Sequence, residues 1–267
     1  AFTTQAVCST PINKVSGDHS QLVIRVDFSD VQGPIMVQPK RHTMYHLSPT
    51  PDIELTTAEV ISSTGTSRTW ISDLSWNTFS VSNNPSQTAL LRMPKPSTAY
   101  LNDPVLLRDD ARALALAAGL DYCNFQFDHV VFPKVAGMSW RMLASQGERG
   151  ILHNGGFQPL DLLRGFGPKM GLPKADAMVK GQLVSGGDPY DWQGNNCDVY
   201  GSGWNLKFRL QLGWINPATE YTTVTADGQY PLRTSTLPNH YTSPNFRGSP
   251  LALNISNHWV EVFSKAK

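Results

Sequence analysis

Residues 120–152, LDYCNFQFDHVVFPKVAGMSWRMLASQGERGIL, constrain this chain more than any other stretch. Tyr122, Asn124, Gln126 and Asp128 alternate there with Cys123, Phe125, Phe127 and His129, and Val130, Val131 and Phe132 follow before Pro133 closes the run. A period of two with one mostly apolar face predicts a strand that covers a core on one side. Met138 to Leu143 (MSWRML) begins a second apolar run after a short turn, so the two segments are expected to be adjacent strands.

More strand signals lie on either side. Leu22 to Phe28 (LVIRVDF) reads as a strand, Ile35 to Gln38 as a short extended piece, and Ile53 to Ser62 as a strand on its β-branched residues, although Thr56 to Glu59 suits a helical turn. Trp70 to Ser82 needs a break near Ser75 to keep one apolar face. Trp204 to Trp214 (WNLKFRLQLGW) puts Leu206, Phe208, Leu210 and Leu212 on one face of a further strand, and Glu220 to Thr225 and Asn257 to Ser264 supply two more.

Helix signals are fewer. Asn102 or Asp103 caps a segment in which Pro104 suits the first turn, Val105, Leu106, Ala113, Leu114, Leu116 and Ala117 form an apolar side, and Gly119 ends it. This 103–119 helix is expected to be the longest, with shorter candidates at Pro159 to Arg164 and Lys174 to Gly181. The fold expected is mainly β: an antiparallel β-sandwich, jelly-roll-like, with one amphipathic helix and long loops. Residues 1–20 read as an extended arm and 21–267 as a single sandwich domain with loop excursions at 185–203 and 230–250, within the size such domains reach.

Charged residues are 16% of the chain against about 25% in ordinary globular proteins, which suggests a surface partly covered by partners. The net charge of +1 and the lack of a basic stripe argue against a dedicated nucleic-acid binder. Cys8, Cys123 and Cys197 are odd in number and far apart, so free thiols and a reducing compartment are expected. No apolar run approaches a membrane span, and residues 1–14 lack the pattern of a signal peptide. The start at Ala1 is read as removal of the initiator Met or of a signal, or as release from a polyprotein.

Candidates for chemistry meet plainer explanations. Gly165 to Gly171 (GFGPKMG) has neither dinucleotide nor P-loop spacing, and His153-Asn154-Gly155-Gly156 has the glycines of an oxyanion turn without a nucleophile elbow to use it. Lys40, Arg41, His42 and His46 form a local basic cluster between prolines, read as a solvated loop. Asp188, Asp191 and Asp198 offer carboxylates for sugar cleavage or Ca2+, with turn formation as the commoner use. Asp128 and His129 fall on opposite faces of one strand and cannot act together. Asn254-Ile255-Ser256 matches a glycosylation sequon. No catalytic, cofactor-binding or metal-binding residue is assigned, and the chain is read as not an enzyme.

The expected sandwich, the extended arm, the low charge and the helix at 103–119 leading into Tyr122 to Phe132 together resemble the jelly-roll capsid proteins of picorna-like icosahedral viruses. The resemblance is architectural and would cover the whole chain. It implies a structural capsid subunit of a virion assembled in host cytoplasm, with other capsid subunits as partners, contact with the viral genome without a basic arm, and a host receptor met through loops. A different class remains open: a secreted β-sandwich protein that binds or cleaves carbohydrate, with Trp70, Trp76, Trp192, Trp204, Trp214, Tyr190 and Tyr200 as stacking platforms.

Overall fold

The computed structural model describes residues 8, 15–37, 52–188, 191–195, 203–216, 221–232 and 252–255, and the backbone of 258–261. In chain order these form β1 (Gly17–His19), β2 (Gln21–Asp27), β3 (Met36–Val37), β4 (Ile53–Glu54), α1 (Thr57–Leu74), β5 (Phe79–Val81), β6 (Ser86–Gln87) and β7 (Leu91–Arg92). Then come α2 (Pro104–Ala117), β8 (Phe127–Phe132), β9 (Met142–Ala144), β10 (Gly150–Asn154) and α3 (Pro159–Lys169). The rest comprises β11 (Ala177–Val179), β12 (Gln182–Val184), α4 (Leu206–Gln211), β13 (Tyr221–Thr223), β14 (Ala252–Ile255) and β15 (His258–Glu261). Most of the arm at 1–20, residues 233–250 of the second excursion, and Lys40, Arg41, His42 and His46 lie outside the described residues.

The described residues fall into two compact units, one within Ala1–Lys14, Asp18–Arg68 and Val81–Gly171, the other within Val15–Gly17, Thr69–Ser80 and Leu172–Lys267. The first is built on a sheet of order β6-β2-β8-β10-β9, with β7 also pairing β2. β2 runs parallel to β6, β7 and β8, and β8 runs parallel to β10; β9 alone is antiparallel. The antiparallel sandwich is therefore corrected to a mixed α/β fold with a mainly parallel sheet.

The physical reason lies in the crossovers. Parallel neighbours cannot be joined by a tight hairpin, so the chain must leave the sheet and return, usually through a helix. α2 supplies that return between β7 and β8. Its start is fixed by the Asp103 side chain, which accepts from the Leu106 N–H at 2.9 Å, and by Pro104 in the first turn. Leu107, Ala111 and Ala115 of α2 are buried with Leu22, Ile24 and Val26 of β2 and with Val130, Phe132 and Leu152. α3 covers the opposite face: a Cβ at Gly165 would lie 2.9 Å from Ile151, and Phe166 packs on Phe127 with ring centres 4.8 Å apart.

Every residue of β8 is buried, so the strand predicted to face a core on one side is sealed on both. Met142–Ala144 does form a strand, but it pairs with β10, and β10 lies between it and β8. α1, with 18 residues, exceeds the 14 of α2, so the segment expected to be the longest helix is not. α1 begins where Thr56 Oγ1 accepts from the Glu59 N–H, and it takes in much of what was read as strand at 53–62 and 70–82.

The second unit differs equally from expectation. Residues 206–211 are helical, with the Asn205 side chain accepting from the Phe208 N–H at 3.0 Å and Gly213 at φ +71 closing the turn. Residues 174–181, expected to be helical, lead instead into the β11–β12 hairpin. β13, β14 and β15 form a small mixed sheet. Cys8 and Cys123 form a disulfide with Cα atoms 5.4 Å apart, which corrects the expectation of free thiols at these two positions; Cys197 lies outside the described residues.

Candidate functional site

β8 carries two polar residues into the interior of the first unit, and each is matched on its own face of the sheet. Asp128 faces α2, where Arg112 donates through Nε to Oδ2 at 2.9 Å and through Nη2 to Oδ1 at 2.7 Å. Both side chains are buried, and the Tyr122 ring stands 4.1 Å from the guanidinium. Burial works against the charge of Arg112, and the Asp128 carboxylate outweighs it, holding the guanidinium above its ordinary range.

His129 faces α3. Gln21 donates from Nε2 to the Ser82 carbonyl at 2.6 Å, which turns its Oε1 toward His129 Nε2 at 3.0 Å. The network thereby assigns the proton of His129 to Nε2 and leaves Nδ1 as an acceptor. His153 Nε2, 3.1 Å from that Nδ1, must then be the donor. His153 Nδ1 is left as a buried acceptor with no partner. Phe157 and Phe166 close over the pair, edge-on to the His129 ring.

Burial, reinforced by His153, pushes His129 well below the ordinary imidazole value. Burial and the nearby Arg141 charge push His153 down to about 3. Both rings are neutral at pH 7. Lys169, in the last turn of α3, is 1% exposed and donates to the Ser145 carbonyl at 2.9 Å; burial lowers its amine to about 7, against the pull of Asp128 and Glu148.

Open α/β sheets bind ligands at the carboxyl ends of their strands, where this chain places residues 153–156. That ground is occupied. Asn154 accepts from the Val135 N–H at 2.7 Å and donates to the Trp140 carbonyl at 2.9 Å, and Gly155 N–H donates to Phe132 O. Arg141 donates to Asp161 at 3.0 Å, and a Cβ at Gly156 would meet both of these side chains. Asp161 also accepts from the Gln158 N–H, so a capping box engages the start of α3.

Among the described residues no three His, Cys, Asp or Glu side chains gather to hold a metal ion. The zinc-protease pattern H-E-x-x-H-x-x-G-x-x-H shows by contrast what α3 and the chain after it carry. At that spacing stand Arg164, Gly165, Pro168, Gly171 and Lys174, of which only the glycine at 171 agrees. Arginine, proline and lysine are not zinc ligands in this role, and a Cβ at position 165 would stand 2.9 Å from the Ile151 side chain, which would have to shift to admit a glutamate. His42 and His46, at H-x-x-x-H spacing, lie outside the described residues.

Other sequence candidates take structural roles. Asp191 is buried and accepts from the N–H groups of Gln193 at 2.7 Å and Asn205 at 2.6 Å, the turn-forming use of an aspartate; Asp198, Tyr190 and Tyr200 are outside the described residues. Trp192, Trp204 and Trp214 are buried against one another, which makes them core. Trp70 stacks on Trp192 and remains 37% exposed. Asp128 and His129 do point to opposite faces. Their partners Arg112, Gln21 and His153, and the buried Lys169, carry no motif that spacing would reveal.

No protein-family model matches the chain, and no curated protein matches it. No helix among the described residues is long and apolar enough to cross a membrane.

Proposed function

We propose that the chain acts as a secreted binding or structural protein and not as a catalyst. The observation that carries this reading is the closure of its polar centre: Asp128, His129 and His153 are 0% exposed, and their hydrogen bonds run to one another, to Arg112 and to Gln21. A catalytic group must reach substrate within hydrogen-bond distance, and these groups reach only the protein. The Cys8–Cys123 disulfide supports an oxidising compartment. The capsid expectation had a jelly-roll sandwich as its premise, and a parallel sheet removes that premise.

The test uses the full chain with its disulfide intact, assayed against peptide, ester and glycoside substrates with and without added Zn2+. No turnover is expected in any arm. Turnover that disappears in His153→Ala while that variant stays folded would overturn the reading.

A further inference from the structure

Asn254-Ile255-Ser256 has what an oligosaccharyl transferase recognises, an asparagine followed after one non-proline residue by a hydroxyl side chain, and no other triplet in the chain does. Asn84-Pro85-Ser86 has the same spacing, but its proline excludes it. Such a triplet also arises by chance, so its place in the fold decides whether it can carry a sugar chain.

Asn254 stands near the end of β14, the middle strand of the sheet β13-β14-β15. In the parallel pairing of β13 with β14, Ala252 lies beside Tyr221 and Asn254 beside Thr223. Residues two apart on a strand share a face, so all four side chains project to one side. That side is core at the first of these rungs, where Ala252 is buried with Leu206 and Ile215 and Tyr221 packs against them. Two residues further on it reaches solvent: Thr223 is exposed and Asn254 half-buried. The Val224 N–H donates to the Asn254 carbonyl at 2.9 Å, and residues 225–229 beyond it are exposed. Ile255, on the opposite face, is 40% exposed. Asn254 is therefore at the rim of the sheet, where a large group on Nδ2 extends into water without displacing the core.

We propose that Asn254 carries an N-linked oligosaccharide, which rests on the secreted reading above. The donor is an oligosaccharide esterified to a polyprenyl diphosphate. Asn254 Nδ2 bonds to the anomeric carbon and gives up a proton, while the bond from that carbon to the diphosphate breaks and polyprenyl diphosphate leaves with the electron pair. The Cys8–Cys123 disulfide independently supports passage through an oxidising compartment, where such transfer takes place. A glycan at the rim adds hydrated surface to a chain in which charged residues are only 16%.

Mass spectrometry of the native protein, isolated from its source, tests this on the tryptic peptide 248–265. Most molecules are expected to carry an oligosaccharide there, and peptide N-glycosidase should release it and leave an aspartate in place of Asn254. Asn84, exposed but followed by Pro85, should be bare. Expressed in the same cells, Ser256→Ala should lose the glycan entirely and Ser256→Thr should keep it. Protein found outside the cell with its disulfide formed and Asn254 bare would overturn the proposal and leave the secreted reading standing. Protein found only inside the cell, with Cys8 and Cys123 as thiols, would overturn both.

Discussion

His153 donates from Nε2 to His129 Nδ1 across 3.1 Å, and His129 Nε2 donates in turn to Gln21 Oε1 at 3.0 Å. The chain of donors has one direction, and the imidazole nitrogen it leaves without a partner, His153 Nδ1, is buried away from water. A second proton on either ring would be a charge in a site lined by Phe157 and Phe166.

Acid should therefore unfold the first unit early. In the unfolded chain each histidine binds a proton near pH 6.5, whereas folded His153 resists until about pH 3. Between those values the unfolded state holds more protons, so stability falls as pH falls, by about 1.4 kcal/mol per unit for each such ring. Urea titrations from pH 7 to pH 4 should show this slope, and His153→Phe should reduce it.

Lys169 should impose a slope of the same sign in alkali. Its amine keeps a proton to about pH 10.5 when unfolded and loses it near 7 when folded, so stability rises with pH between those values. Lys169→Met removes that dependence and is expected to add about 1–3 kcal/mol at pH 7, because an apolar side chain carries no desolvation cost. Denaturation curves at pH 7 and pH 9.5 check both effects.

Arg112→Leu should be far more damaging, by about 3–5 kcal/mol, because it leaves the Asp128 carboxylate buried without its counter-ion. Combining it with Asp128→Asn should recover much of the loss. A double variant no more stable than the single one would contradict the pairing.

Replacing Cys8 and Cys123 by serine opens a loop of 115 residues and is expected to cost about 2–5 kcal/mol through the unfolded ensemble. Thermal unfolding under oxidising and reducing conditions should show the same difference for the wild type and none for the variant.

β2, α2 and the existence of β8 were legible in the sequence because their signals are local: an apolar run, a cap with a proline, a period of two. The sandwich was misread at β8 itself. Asp128 and His129 are polar, and alternation made them look like a solvent face, but Arg112 and Gln21 satisfy them inside. Leu206 to Leu212 also alternates, yet Asn205 and Gly213 bracket it as a helix; those end signals were in the sequence and outweigh so short a pattern. Thr56 and Glu59 announce α1 in the same way. The Cys8–Cys123 pairing and the Gln21–His129–His153 chain join residues more than a hundred positions apart or on separate strands, and no spacing rule reaches them.

The central claim is that the polar centre is closed, and nitrogen NMR of the two imidazoles measures it directly. Both rings should appear as neutral Nε2–H tautomers and keep those shifts from pH 8 down to pH 5. Titration of either His129 or His153 near 6.5 in the folded protein would show a proton reaching the site from solvent, and the account of a sealed, non-catalytic centre would fail.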